Sequence, residues 1–181
     1  MDPHIPKVLR LIVHRSRNFA AGNRSYMEDI DILFENIQLK SDFTVSLYGV
    51  FDGHGGRDCA AHIAKYLPIR ILSKLKDANI TAAEIIYRAF LEVDMEWIQL
   101  AVVDSGNLKD AGSTATLLLW DFQKNTAYLA SVGDTRAVLC RDGQAVDLSI
   151  DHKASDPEVA DVVNNRGGFI ANGRINGILG R

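Results

Sequence analysis

A series of short apolar runs separated by turn signals is the feature that most restricts the fold of this 181-residue chain. Four such runs follow one another in its second half, at residues 113–120, 126–132, 135–140 and 145–150. The Asp142-Gly143 pair between the last two is a strong hairpin signal. Hairpins join antiparallel strands, whereas parallel strands need a longer crossover, usually a helix. The second half of the chain therefore predicts an antiparallel meander.

Two amphipathic helices precede the meander. Residues 57–76 place apolar side chains at spacings of three and four, and we expect Pro68 to kink this helix. Residues 81–103 open with a capping box, in which the Thr81 hydroxyl and the Glu84 carboxylate satisfy free amides. The predicted inner stripe of this second helix is Ile86, Ala89, Phe90, Val93, Trp97 and Leu100. Earlier strands are predicted at 8–14, 30–34 and 43–51, with a polar connection at 36–42.

Composition and charge describe an ordinary globular chain, with 47% apolar and 24% charged residues. Its length predicts a single domain covering residues 1–181. A formal net charge of -3 argues against nucleic acid or an anionic membrane as partner. No stretch has the length and apolar character of a membrane span or a secretory signal, so the cytoplasm is the default compartment, with the nucleus and the mitochondrion left open. The sequence does not indicate the oligomeric state, and a monomer is the default.

A glycine-rich turn, Asp52-Gly-His-Gly-Gly56, follows the predicted strand at 43–51. It places an acid and a histidine two residues apart where a buried strand ends. Glycine allows backbone conformations closed to other residues and lets a ligand approach the main chain closely. The pattern is typical of a metal ligand beside a proton donor, and also of a polar tight turn without further function.

Acidic residues stand at three places where predicted strands begin or end: Glu28-Asp29, Asp52 and Asp134. A cluster of carboxylates without cysteine ligands selects a hard cation, Mg²⁺ or Mn²⁺. Each acid taken singly is more typical of a solvated turn, and the residues by themselves leave both interpretations open.

Four sequence blocks sharpen the functional hypothesis, and they occur in a fixed order: Arg24-x-x-Met-Glu-Asp29, Tyr48-Gly-Val-Phe-Asp-Gly-His-Gly-Gly56, Gly112-Ser-Thr-Ala-Thr116 and Ser131-Val-Gly-Asp-Thr-Arg-Ala137. Together they closely resemble the metal-dependent protein phosphatases, the type 2C serine/threonine phosphatases. Further matches, such as Asp151-His-Lys153, extend the resemblance over about residues 18–181.

The resemblance implies an α+β fold, an α-β-β-α sandwich of two antiparallel sheets flanked by helices. In the family, further blocks with two late metal-binding aspartates would follow position 181. We therefore expect a single, partial domain that lacks the C-terminal strands, with an exposed sheet edge. The two accounts of this are a fragment or truncated product of a longer phosphatase and a natural short protein with an incomplete site.

The resemblance also implies a centre of two Mn²⁺ or Mg²⁺ ions, with a third, weaker ion as an option. Asp52 would bridge both ions, and the Gly53 carbonyl would bind one of them. Glu28 would hold a metal-bound water, with Asp29 beside it in the acidic shell. Asp134 would help hold the third ion.

Two further residues would act on the substrate, a phosphorylated protein. Arg24 would clamp the phosphate through paired guanidinium donors, and His54 would protonate the leaving serine or threonine oxygen. The leading hypothesis is thus a serine/threonine protein phosphatase. The alternatives are a catalytically incomplete, phosphatase-like binding or regulatory module, and a metal-dependent hydrolase of another phosphoester.

Overall fold

The computed structural model describes residues 16, 26–76, 79–104, 108 and 110–175. The described strands are β1 (Ile30–Lys40), β2 (Phe43–Phe51), β3 (Gly53–His54), β4 (Gly112–Ser113), β5 (Ala115–Asp121), β6 (Thr126–Val132), β7 (Val138–Arg141), β8 (Gln144–Asp147), β9 (Ile170–Ala171) and β10 (Arg174–Ile175). The described helices are α1 (Asp58–Leu75), α2 (Ala82–Val103) and α3 (Pro157–Asn165). The strand predicted at 8–14 lies outside the described residues.

The largest sheet has four strands in the order β1-β2-β5-β6, and every neighbouring pair is antiparallel. The remaining described strands form the antiparallel pairs β3–β4, β7–β8 and β9–β10. The hairpin predicted at Asp142-Gly143 is confirmed, since it joins β7 to β8 with φ values of 53° and 78°. The predicted α+β class with antiparallel sheets is confirmed by this arrangement.

One face of the four-stranded sheet forms the core with α1 and α2. Alternate side chains of β2 and β5, including Val45, Leu47 and Leu117, are fully buried on that face. They pack with apolar side chains of the two helices: Ala60, Leu67, Ile71, Leu75, Ile85, Ile86, Ala89 and Val93. Burial of one such leucine or valine stabilises the fold by about 1.5–3 kcal/mol, so this layer fixes how the helices cover the sheet.

The first strand, β1, is longer than predicted. It continues to Lys40, so most of the polar segment at 36–42, which was predicted to be a connection, belongs to the strand. The register against β2 shifts between Phe34 and Ile37, and Asn36 adopts a φ of 53°. The Asn36 N–H donates to Ser46 Oγ at 2.9 Å. The bulge accommodates the polar residues in the strand, so that Ile37 lies opposite Val45 and packs on the core side.

The second helix begins as predicted but differs in detail. The Thr81 hydroxyl accepts from the Glu84 N–H at 3.2 Å, which confirms the cap. The Glu84 carboxylate instead accepts from Arg88 Nε at 2.6 Å, a pair one helical turn along. Within the predicted stripe, Leu100 is exposed, whereas Ile85, which was not predicted, is buried.

The first helix is continuous through Pro68, which is buried. Ion pairs Arg70–Glu96 and Lys74–Glu92 join this helix to α2 on the solvent side. No helix in the described ranges is both long enough and apolar enough to cross a membrane.

Replacing one side chain on each face of β2 tests this packing. Leu47→Ala leaves a cavity at a fully buried position and is expected to lower the free energy of unfolding by about 2–5 kcal/mol. Val50→Ala removes a half-exposed side chain from the opposite face of the same strand, with an expected effect of about 0.5 kcal/mol. Urea unfolding followed by circular dichroism measures both, and equal losses would contradict the assigned faces.

Candidate active site

The main chain of Asp52 is held firmly where β2 ends. Its N–H donates to Thr114 Oγ1 at 3.1 Å, and its carbonyl accepts from the Thr114 N–H at 2.9 Å. The Ser113 hydroxyl lies 3.2 Å from the same carbonyl and 2.7 Å from the Thr114 carbonyl, so its one proton is shared between two acceptors. The residue itself is exposed, so the structure presents an acid at the surface on an anchored piece of backbone.

Thr114 also connects Asp52 to the turn that carries Asp134. Its hydroxyl is hydrogen-bonded to the Thr135 hydroxyl, directly after that acid. A Cβ on Gly133 would lie 2.7 Å from Thr114 Cγ2, so the turn can approach this closely because residue 133 is glycine. The two strand ends that bear Asp52 and Asp134 are therefore coupled through one threonine side chain.

The segment before β1 contacts the glycine-rich turn from the other side. Glu28 Oε1 accepts from the Gly56 N–H at 2.7 Å. A Cβ on Gly53 would lie 2.6 Å from the Glu28 carbonyl oxygen, a distance that no side chain could occupy. Gly55 has a φ of 67°, which favours glycine. The glycines of the motif thus allow the turn to lie against residue 28.

His54 is partly buried, and the carboxylates of Glu28 and Asp134 are close enough for their charges to act on it. Burial lowers the pKa of His54 below its ordinary value, and the carboxylates of Glu28 and Asp134 act in the opposite direction. Its Nε2 atom is buried and has no hydrogen-bond partner among the described residues. The structure therefore places three separate parts of the sequence in one region: Glu28, the turn with Asp52 and His54, and the turn with Asp134.

The structure gives fewer contacts for the remaining predicted site residues. The Gly53 peptide is buried beside Glu28, and Asp29 is exposed immediately before β1. Arg24 lies outside the described residues. Three or more histidine, cysteine, aspartate or glutamate side chains do not come together as a metal-binding group anywhere in the described part of the chain. The donors are all oxygens, which suits Mg²⁺ or Mn²⁺, but they make up an incomplete ligand set.

Thr114 is a site residue that the sequence reasoning did not assign. Its hydroxyl, its main chain and its methyl group all contact parts of the site, through Asp52, Thr135 and Gly133. The available signal was its place inside the Gly-Ser-Thr-Ala-Thr block, where a small hydroxyl residue begins a buried strand.

A second layer of contacts supports the Asp134 turn from behind. His152 Nδ1 accepts from the Gly133 N–H at 3.2 Å, and the His152 N–H donates to the Gly133 carbonyl at 2.9 Å. Arg136 forms two hydrogen bonds to Asp151, at 3.0 and 2.8 Å, and these lower the pKa of Asp151 to about 2. Arg136 is therefore engaged by a carboxylate within the chain.

The two cysteines are both free thiols, and they differ sharply in environment. Burial, and then the nearby Asp94 carboxylate, raise the pKa of Cys59 to about 12. Because the thiolate is the nucleophilic form, this group is unsuited to nucleophilic attack at neutral pH.

Alkylation by iodoacetamide at pH 8 tests the state of the cysteines. With a pKa of about 12, Cys59 would be thiolate in on the order of one molecule in ten thousand, so the native chain should react at the exposed Cys140. Both should react in urea. Mass spectrometry of the labelled peptides gives the rates, and native Cys59 reacting as fast as Cys140 would contradict the described burial.

Replacement of Thr114 by valine tests its connecting role. The variant keeps the shape of the side chain but leaves the Asp52 N–H without its acceptor, which should cost about 1–3 kcal/mol of unfolding free energy. Thr126→Val is the matched control, since the Thr126 hydroxyl makes an exposed bond to the Lys124 carbonyl. Urea unfolding of both variants should show a clearly larger loss for Thr114→Val.

Comparison with known proteins adds the family context. The family model described as "Protein phosphatase 2C" matches residues 14–181. "Probable protein phosphatase 2C 2" of Paramecium tetraurelia is 37% identical over 167 residues, covering 87% of this chain and 53% of that protein. "Probable protein phosphatase 2C 47" of Oryza sativa subsp. japonica is 35% identical over 182 residues, covering 91% and 45%. The chain thus spans about half the length of these relatives.

A solved structure has a similar fold. "Structure of a C.elegans sex determining protein" matches with a TM-score of 0.64 at 24% identity, over 86% of this chain and 43% of that one. At this level of identity the likeness concerns the fold, and it agrees with the α+β class.

Proposed function

Because the chain belongs to the protein phosphatase 2C family, we propose that it carries part of the active site of a metal-dependent serine/threonine protein phosphatase. The substrate would be phosphoserine or phosphothreonine in a protein. The observation that carries the proposal is the set of hydrogen bonds around the glycine-rich turn: Glu28 binds the Gly56 amide, and Thr114 joins the anchored Asp52 to the turn that carries Asp134.

The oxygen donors of this site would hold Mn²⁺ or Mg²⁺. Asp52 and the Gly53 carbonyl would bind the two main ions, Glu28 and Asp29 would stand beside them, and Asp134 would serve a third, weaker ion. When bound, such a pair of ions makes water a nucleophile at neutral pH and stabilises charge on the phosphoryl oxygens. The rigid backbone at Asp52 would fix the direction from which its carboxylate reaches the ions.

Within the chain, Glu28 has a second task. Its Oε1 accepts from the Gly56 amide, so the side chain that would stand beside the ions also fixes the turn around His54. The negative charges of Glu28 and Asp134 favour the protonated imidazole, whereas burial opposes it. The protonated ring would deliver its proton to the leaving oxygen of serine or threonine, which is otherwise a poor leaving group. Arg24 would orient the phosphate, as the family resemblance implies.

A second candidate function is a phosphatase-like binding or regulatory module. It is favoured by the incomplete ligand set, because the described residues do not provide three metal-binding side chains in one group. In that case the surface around Asp52 would bind a phosphorylated partner without hydrolysing it.

Phosphate release from a phosphothreonine peptide separates the two candidates. The assay is run with Mn²⁺ and with EDTA, on this chain and on the longest protein that the same gene encodes. Asp52→Asn should lower Mn²⁺-dependent release by more than the about 10–100-fold typical for loss of an outer partner of a metal ligand. Asp42→Asn, at the opposite end of β2 and also exposed, is the matched control and should keep full activity. Inactivity of the long form with both Mn²⁺ and Mg²⁺ would support the regulatory module.

Two leaving groups test the role of His54. His54→Ala should slow hydrolysis of a phosphothreonine peptide by about 10²–10⁴-fold, because the alkoxide needs a proton. Hydrolysis of p-nitrophenyl phosphate should change little, since its leaving group is stable as an anion. Equal losses on both substrates would contradict a proton-donating role, and calorimetric Mn²⁺ titration would show whether the variant still binds metal.

A further inference from the structure

The His54 imidazole occupies the space that a side chain at residue 112 would fill. In the β3–β4 pair, His54 lies directly opposite Gly112. Directly opposed residues in antiparallel strands project to the same face, with their Cβ atoms about 4.5–5.5 Å apart. A Cβ at residue 112 would lie 2.3 Å from His54 Nε2, 3.0 Å from Cε1 and 3.2 Å from Cδ2. The ring therefore lies over the Gly112 backbone.

The backbone conformation does not explain why residue 112 is glycine. The glycines with positive φ include Gly55, Gly56 and Gly133, whereas Gly112 is outside that group. Any L-residue could adopt its main-chain angles. The atoms that a side chain would meet are those of the imidazole, so His54 is what requires glycine at this position.

The strand that carries Gly112 is fixed on both sides. The preceding Ala111 is buried against Cys59 and Trp97, and its carbonyl accepts from Trp97 Nε1 at 3.1 Å. On the other side, the Thr114 N–H donates to the Asp52 carbonyl at 2.9 Å. A methyl group at residue 112 would therefore displace the imidazole, the end of a rotatable side chain, more readily than it would displace the backbone.

We propose that Gly112 is a positioning residue for His54, holding the imidazole over the β3–β4 pair by leaving its own side-chain volume to the ring. The catalytic consequence rests on the function proposed above, whereas the placement of the ring does not. Gly112→Ala should turn the imidazole out of the β3–β4 pair while leaving the fold and the oxygen donors in place.

Chemical modification tests the placement without any reference to activity. Diethyl pyrocarbonate modifies accessible neutral imidazoles, and the exposed His152 in the same chain is an internal reference. In Gly112→Ala, modification of His54 relative to His152, measured by peptide mass spectrometry, should rise several-fold. An unchanged ratio would overturn the proposal.

Gly49→Ala is the matched control for a general loss of stability. Gly49 also lies outside the positive-φ group, and its added Cβ would meet the core side chains Phe51 and Ile32 at 2.9 and 3.0 Å. This variant should lose stability without exposing His54. An equal rise of the His54 ratio in both variants, at a temperature where both are folded, would indicate loosening of the structure and would also overturn the proposal.

A double-mutant cycle tests the catalytic consequence in whichever form of the protein is active. Gly112→Ala should lower turnover of a phosphothreonine peptide more than turnover of p-nitrophenyl phosphate. In the His54→Ala background it should have no further effect, because the group it acts through is gone. A further, equal loss in that background would overturn the positioning role. If every form is inactive, the proposed function fails, and the modification ratio still decides the placement of His54.

Discussion

The hydrogen bonds between Asp52 and Thr114 are the interaction on which the rest of the site depends. They continue the register of the β2–β5 pairing, two residues beyond the last paired residues, Val50 and Thr116. These bonds fix the backbone at the end of β2, and therefore the position of the glycine-rich turn and of the start of α1 that follow it. Because the same threonine contacts the Asp134 turn, one side chain sets the relation between acids 82 positions apart in the sequence.

Much of the fold was predictable because it is encoded locally. The cap at Thr81, the hairpin at Asp142-Gly143 and the apolar face of α1 each depend on residues within a few positions of one another. The extension of β1 was not predictable, because the bulge at Asn36 is stabilised by Ser46 on the neighbouring strand. The Glu84 side chain likewise could bind either a free amide at the start of the helix or Arg88, and its negative charge favoured Arg88.

The candidate site divides in the same way. Its residue types could be predicted from the sequence, since an acid and a histidine on a glycine-rich turn indicate a metal ligand and a proton donor wherever the turn lies in the fold. Their convergence could not, because the charges that act on His54 come from residues 28 and 134 through tertiary packing. The burial that lowers the pKa of His54 is also a property of the folded chain. Arg24 remains a prediction, since it lies outside the described residues.

The contact between Trp97 and Ala111 has a practical consequence. The indole N–H is bonded to the carbonyl that directly precedes Gly112, and the ring lies 5.6 Å from that of His62. Trp97 is one of two tryptophans in the chain, and the other, Trp120, lies in β5. Indole fluorescence responds to local polarity and hydrogen bonding. In a Trp120→Phe background, Trp97 would serve as an intrinsic optical reporter of the strand beneath the imidazole, independent of metal and substrate.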